Sequence, residues 1–128
     1  MSHWTQCKID IKNPSVNVLK KALQAIAQEL GSKLIENFTV EGWGHTKSCL
    51  FGIPMKLPYG NGYGITVENG EIKVFVDDHG APMTAEEFTQ KLMQYYTAIA
   101  FVEAAKKLGF KVTNLQQLKN NIIIDVSR

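Results

Sequence analysis

The sequence predicts an α+β fold in which two helices cover one face of an antiparallel sheet. Three observations predict it: a strand pattern followed by a helix pattern at the start, a hairpin signature at Asn69-Gly70, and a helix-start signature at Thr84. The predicted order is strand, helix, four strands, helix and two strands. Short turns between strands favour an antiparallel sheet, and two amphipathic helices need one of its faces. We therefore expect a two-layer sandwich with both helices on one side, formed by residues 1–128 as a single domain.

The first strand and the first helix follow from residue spacing. Residues 5–11 alternate between apolar and polar side chains, which is the period of a half-buried strand. Asn13-Pro14 predicts a helix start with asparagine as the N-cap and proline in the first turn. Apolar residues then recur at spacings of three and four up to Leu30. Gly31 is expected to end this helix in a left-handed conformation.

The four central strands are predicted from composition and two turn signals. Segments 34–40 and 48–53 carry the β-branched and aromatic residues of strands, and the glycines of residues 41–45 suit a turn or bulge. Asn69-Gly70 lies between two alternating runs, which is the strongest short hairpin signature. A two-residue turn there fixes the pairing of both strands and leaves one of their faces wholly apolar.

That register has a consequence for the other face of the hairpin. It sets Thr66 opposite Lys73 and places Phe75 opposite Gly64. An aromatic ring in such a position can cover the glycine backbone. We therefore expect this face to be half exposed to water.

The second helix begins with a capping box formed by Thr84 and Glu87. An apolar stripe continues to Val102, and Gly109 predicts the helix end. Residues 98–102 are apolar on every side, so either the first helix or a second subunit must cover them in addition to the sheet. The chain ends with two predicted strands and a polar connection between them, namely residues 110–113, 122–126 and 114–121.

Composition restricts the class of protein. With 45% hydrophobic residues in 128, the chain has enough apolar material for one core, and no uncharged apolar run approaches the ~20 residues of a membrane span. The N-terminal residues lack a signal-peptide pattern, so we expect a cytoplasmic protein that does not enter a membrane. Cys7 and Cys49 are too few for a disulfide scaffold or a cysteine-based zinc site. The net charge of +2 neither requires nor excludes a polyanionic partner.

Motifs of known enzyme classes are absent from the sequence. There is no Gly-x-Ser-x-Gly elbow, no dinucleotide-binding fingerprint and no His-Glu-x-x-His. Residues 59–64 are rich in glycine, but they lack the Lys-Ser/Thr of a phosphate loop and no helix follows them. We therefore expect no catalytic residue and no cofactor, and the sequence favours a protein that is not an enzyme.

One cluster of ionisable residues has the chemistry of a metal or small-molecule site. Asp77, Asp78 and His79 follow a predicted strand and precede the second helix, and His45 is a further candidate ligand. None has the spacing of a known metal motif. The same residue types are also ordinary strand-end turn residues whose side chains satisfy the backbone, and the sequence favours that interpretation.

The residues on the outer face of the sheet predict a binding surface. Trp4, Lys8, Lys73 and Phe75 are expected on that face, and Phe101 lies in the apolar middle of the second helix. We expect a protein partner or self-association, such as a homodimer, through one of these surfaces. Aromatic and lysine side chains together also suit single-stranded nucleic acid, which is the alternative. Against this alternative, only one of the 14 basic residues is an arginine.

The chain also resembles a known family over nearly its whole length. Six short segments carry the resemblance: Met1-Ser2-His3-Trp4, Leu19-Lys20-Lys21-Ala22-Leu23, Glu41-Gly42-Trp43-Gly44, Gly62-Tyr63-Gly64-Ile65, Val76-Asp77-Asp78-His79-Gly80 and Ala105-Lys106-Lys107-Leu108-Gly109-Phe110-Lys111-Val112. Their order and spacing resemble the hypothetical chloroplast reading frame 35 family of cyanobacteria and plastids. His79 stands where the family has tryptophan. The family is a domain of unknown function, so the resemblance implies no activity.

Overall fold

The computed structural model describes residues 2–118 and 121–128. In chain order the elements are β1 (Trp4–Ile9), α1 (Val16–Glu29), β2 (Ile35–Gly42), β3 (His45–Pro54), β4 (Gly62–Glu68), β5 (Glu71–Asp77), α2 (Ala85–Lys107), β6 (Lys111–Gln117) and β7 (Ile122–Ser127). One antiparallel sheet has the order β1-β5-β4-β3-β2, and β6 and β7 form a separate two-stranded sheet. The α+β class, the element order and the packing of the helices against the sheet confirm the prediction.

The main core lies between the five-stranded sheet and the two helices. Both helices and the three central strands contribute large side chains with no exposed surface, among them Leu19 and Leu23 of α1, Phe88 and Leu92 of α2, and Tyr63 of β4. The rings of Tyr63 and Phe88 stack with centroids 4.5 Å apart. Each buried Leu or Phe side chain stabilises the fold by about 1.5–3 kcal/mol relative to an exposed one.

The hairpin prediction at Asn69-Gly70 is confirmed. Both residues have positive φ, 53° and 75°, as a two-residue turn of this kind requires. Glu68 lies opposite Glu71, and Gly64 lies opposite Phe75, as expected from the register. The β2–β3 connection is also a tight turn, with Gly42 opposite His45.

The start of α2 agrees with the sequence prediction, whereas the start of α1 differs from it. The Thr84 hydroxyl accepts from the Glu87 amide at 3.1 Å, and the Glu87 carboxylate accepts from the Thr84 amide at 3.0 Å, which confirms the capping box. The predicted N-cap at Asn13 is wrong, because Ser15 caps α1 by accepting from the Val18 amide at 3.2 Å. Asn13 instead adopts a left-handed φ of 48°, which asparagine tolerates in turns.

The sheet curls so strongly that β2 lies over the outer face of β4 and β5. A Cβ atom at Gly64 in β4 would lie 2.8 Å from the Cβ of Val40 in β2, although β3 separates the two strands in the sheet order. A Cβ atom at Gly42 in β2 would lie 2.6 Å from the Trp4 ring of β1. The two edge strands therefore approach each other at one end, and the glycines permit that approach.

The curl encloses a second, smaller core on the face opposite the helices. Val40, Cys49 and Phe75 are buried there, and Trp4 and Phe38 pack against them while partly exposed. The outer face is therefore half closed by the chain itself rather than open across all five strands.

The β6–β7 hairpin packs on α2 rather than joining the main sheet. It carries a bulge between Val112 and Asn114, and β6 continues through Gln117, past the predicted strand end. Lys119 and Asn120 of the predicted polar connection lie outside the described residues. The hairpin and α1 both contact α2. They lie beside the middle of this helix, where residues 98–102 are apolar on every side and need burial beyond what the sheet provides. Within residues 2–118 and 121–128, neither α1 nor α2 has a stretch that could span a lipid bilayer.

Candidate functional site

Asp77, at the end of β5, is a fully buried carboxylate that joins three parts of the fold. Its Oδ1 accepts a hydrogen bond from the His3 amide at 2.7 Å, and its Oδ2 accepts one from the Trp43 amide at 3.3 Å. These donors belong to the segment before β1 and to the β2–β3 turn. Both oxygens therefore have backbone partners, as a buried carboxylate requires.

Asp78 makes a similar set of contacts to the start of α2. Its Oδ2 accepts from the buried Ala85 amide at 2.7 Å, in the first turn of the helix where amides lack helical partners. Its Oδ1 lies 2.5 Å from Nδ1 of His3, whose side chain is 70% exposed. The Asp78 amide also donates to the His3 carbonyl at 3.1 Å. Asp78 thus fixes the N-terminal segment and α2 to the end of the sheet.

The two histidines proposed from the sequence have different neighbours. The His45 ring stacks on Trp4 with centroids 5.1 Å apart, and the His79 ring lies 5.3 Å from the Tyr59 ring. Within residues 2–118 and 121–128, no group of three or more His, Cys, Asp or Glu side chains could hold a metal ion.

The sequence did not predict His3 as the partner of Asp78, because a contact across 75 positions leaves no local pattern.

A cluster of rings, which the sequence did not predict, lies beside these carboxylates. Trp43 is 70% exposed and meets Tyr59 edge-on at 5.9 Å. Tyr59 in turn contacts His79. The tight β2–β3 turn projects the indole, and the backbone amide of the same residue binds Asp77. The buried carboxylate therefore fixes the base of the turn that carries the exposed ring.

The predicted aromatic residues of the outer face are mostly enclosed. Phe75 is only 5% exposed, and Trp4 is partly buried between His45 and Phe75. The ammonium group of Lys47 lies 5.3 Å from the centre of the Phe75 ring. Phe75 is therefore buried in the smaller core, and the Trp4 ring is only partly exposed to solvent.

The predicted lysines of the outer face are paired with glutamates. Lys8 lies 3.7 Å from Glu71, and Lys73 lies 3.5 Å from Glu68. Lys47 also contacts Glu68, at 2.8 Å, and this hydrogen bond lowers the pKa of the Glu68 carboxyl. The carboxylates reduce the positive field that a polyanion would meet on this face.

Cys49 lies beneath this charged layer, in the smaller core. It is 4% exposed, and burial raises the pKa of its thiol to about 11. The thiol form is therefore maintained at neutral pH, and the residue has the character of a small apolar side chain.

A different surface exposes apolar side chains beside β7, an edge strand of the two-stranded sheet. Met93 and Phe101 of α2 are each 47% exposed. They border a groove of about 520 Å³ between α2 and the start of β7, and we call its lining the α2–β7 surface: Met93, Gln94, Thr97, Ala98, Phe101, Asn121, Ile122 and Ile124. Phe101 is thus the predicted interaction residue that the structure places on an exposed apolar surface.

Comparison with known proteins adds no relative. No protein-family model, no curated protein and no solved structure matches the chain. The resemblance to the hypothetical chloroplast reading frame 35 family stays a prediction.

Proposed function

We propose that this chain is a non-enzymatic protein-interaction module that self-associates through the α2–β7 surface. The observation that supports it is the position of Met93 and Phe101, half exposed beside a strand edge. Methionine and aromatic residues are enriched in the centres of protein interfaces. An exposed pair of this kind on a helix indicates a contact surface.

The edge of β7 supports the same proposal. Among the described strands, β7 pairs with β6 alone, and a lone two-stranded hairpin is marginally stable. The strand starts with Ile122, Ile123 and Ile124, and Asp125 is its one charged residue. Lysine, proline and additional charges normally protect a free edge against pairing, and β7 has no lysine or proline.

A second copy of the chain is the partner that fits this edge. Two β7 strands pair antiparallel about a two-fold axis, because the same edge is then used by both copies. Such pairing gives the backbone amides and carbonyls of the edge their missing partners. Met93 and Phe101 of each copy then lie beside the new strand and exclude water from it.

The oligomeric state at micromolar concentrations tests the proposal, by sedimentation velocity or light scattering. We expect a dimer for the native chain and a monomer for Phe101→Glu and for Met93→Glu, since each places a carboxylate in the contact. Leu108→Glu is the matched control, because Leu108 is 71% exposed at the end of α2 and lies outside the α2–β7 surface. A native monomer at high micromolar concentration, or dissociation by Leu108→Glu alone, contradicts the proposal.

The two other functions predicted from the sequence have less support. Single-stranded nucleic-acid binding stays a prediction, but Phe75 is buried, and Lys8 and Lys73 are paired with carboxylates. A metal or small-molecule site at Asp77 and Asp78 also stays a prediction, although their oxygens already accept hydrogen bonds from the chain. The cytoplasmic location was predicted from the sequence and stays a prediction.

A further inference from the structure

A second groove lies between the β6–β7 hairpin, α1 and α2. Its volume is about 570 Å³, within the range of about 300–1,000 Å³ that is usual for small-molecule sites. Most of its exposed lining is apolar and comes from Ala25, Ala98, Ile99, Val102, Leu115 and Ile122. These residues come from four separate elements, α1, α2, β6 and β7, so the groove exists only because the hairpin packs beside the helices.

One end of the groove is closed by a chain of hydrogen bonds. Gln117 of β6 donates to the Tyr95 hydroxyl at 2.5 Å, and that hydroxyl donates to the Glu29 carboxylate. Lys91 also binds Glu29, at 2.8 Å. These contacts join the hairpin, α2 and the end of α1. The polar groups at this end are thus already engaged with one another.

The other end of the groove has an excess of positive charge. Lys21 of α1 binds Glu103 of α2 at 2.7 Å, and Lys106 also lines this end. Two lysines and one glutamate therefore line this end of the groove. The negative C-terminal end of α2 contributes about half an elementary charge, which leaves this end of the groove positive.

The helices set the distance between the two ends. Tyr95 and Lys106 are eleven positions apart on α2, which is about 16 Å at the helical rise per residue. The antiparallel helix α1 follows the same path, since Glu29 faces Lys91 while Lys21 faces Glu103. The groove is therefore long, apolar along its middle, closed at one end and cationic at the other.

We propose that this groove binds a single-chain amphiphile with an anionic head, of the class of free fatty acids. The alkyl chain lies along Ala25, Ile99 and Val102, where it is removed from water. The carboxylate lies at the open end and pairs with Lys106 and Lys21. The long lysine side chains can follow the ligand while their ammonium groups stay hydrated.

This site is separate from the proposed dimer contact. It shares only Ala98 and Ile122 with the α2–β7 surface among the described residues, and Lys106 and Ala25 belong to it alone. Ligand binding and oligomeric state can therefore be measured independently, and either proposal can fail without the other.

Calorimetric titration with dodecanoate, below its aggregation concentration, tests the proposal on the native full chain. We expect one dodecanoate molecule to bind per chain. In NMR spectra recorded during the same titration, we expect the methyl signals of Ile99, Val102 and Leu115 to change. Dodecyltrimethylammonium has an alkyl chain of the same length and a cationic head, and we expect it to bind at least about tenfold more weakly. Equal affinity for the two amphiphiles, or signal changes spread over the whole surface, overturns the proposal.

Two variants locate the head and the chain of the ligand. Lys106→Glu should weaken dodecanoate binding by about tenfold or more, whereas Lys33→Glu, an exposed control outside the groove, should leave it unchanged. Ala25→Phe fills the middle of the groove and should abolish binding. Its control is Ala104→Phe, on an exposed position of α2 outside the groove.

If Lys106→Glu binds dodecanoate as tightly as the native chain, the assignment of the head group is overturned. This test does not depend on whether Ala25→Phe folds. Vesicles of anionic phospholipid provide the last arm of the experiment. Binding to vesicles without binding to dodecanoate indicates a membrane-surface contact instead and also overturns the proposal.

Discussion

The Phe38 side chain of β2 occupies the space above Gly52 of β3. A Cβ atom at position 52 would overlap the Cβ, Cγ and Cδ2 atoms of Phe38. Phe38 follows Asn37, whose φ of 55° interrupts the regular pairing of β2 with β3. An aromatic ring that covers a strand glycine is a recognised device in curved sheets. Here a side chain at position 52 would exclude the ring from its place.

A double-mutant cycle at these two positions tests the contact. Gly52→Ala should lower the free energy of unfolding by about 1–3 kcal/mol, because the ring has to move away from a packed position. In a Phe38→Ala background, the same glycine substitution should lower the free energy of unfolding by a much smaller amount. Urea denaturation gives all four values, and an interaction energy below about 0.5 kcal/mol contradicts the contact.

The sequence predicted those parts of the fold that depend on neighbouring residues. Asn69-Gly70 and the capping box at Thr84 are local, since all the groups involved lie within four positions. The sequence also predicted that Phe75 lies opposite Gly64, and this pairing is confirmed. The nearest atoms to a Cβ at Gly64 belong to Cys49 and Val40. The contact between Gly64 and Val40 depends on the curl of the sheet, which brings β2 close to β4 although the two strands are not neighbours in the sheet.

The candidate site illustrates the same limit. The sequence indicated that Asp77 and Asp78 act as turn residues bonded to nearby backbone. Both carboxylates do bind backbone amides, but Asp77 binds those of His3 and Trp43, at 74 and 34 positions away. Only the contact of Asp78 with Ala85 is near in sequence. Strand order determines these partners, and the residue pattern contains no record of it.

Substitution of Asp78 should destabilise the fold more than substitution of an exposed aspartate. Asp78→Ala leaves the buried Ala85 amide without its acceptor, which should cost about 1–3 kcal/mol. Asp10→Ala, at an exposed position, should change stability by less than about 0.5 kcal/mol. Thermal and urea unfolding measure both. Equal stability of the two variants would show that Asp78 does not hold α2 in place.

The buried thiol of Cys49 should react slowly in the folded protein. Burial raises its pKa from 9.0 to about 11, so at pH 8 the reactive thiolate is about a hundredfold less abundant than in the unfolded chain. Alkylation by iodoacetamide should be slower by at least that factor in native buffer than in urea. A Cys7→Ser background leaves Cys49 as the only cysteine. Similar rates in both conditions contradict the burial of this thiol.

The same shift of pKa predicts how stability changes with pH. The unfolded thiol loses its proton at about pH 9, while the folded thiol keeps it until about pH 11. The unfolded state therefore binds fewer protons in this window, and the contribution of Cys49 to stability decreases as the pH rises through it. We expect the difference in unfolding free energy between the native chain and Cys49→Ala to narrow from pH 8 to pH 10.5. A constant difference is the contrary result.

Titration with single-stranded DNA at low salt distinguishes the proposed interaction module from the nucleic-acid alternative. A Trp43→Phe variant leaves Trp4 as the only tryptophan, so its fluorescence reports on the outer sheet face alone. Because Phe75 is buried and Lys8 is paired with Glu71, we expect neither quenching nor a mobility shift. Quenching of Trp4 supports the alternative instead, and Lys8→Ala and Lys73→Ala should then each reduce the slope of log affinity against log salt by about 0.7. The folded state of every variant is verified by circular dichroism, so that loss of a signal cannot be confused with unfolding.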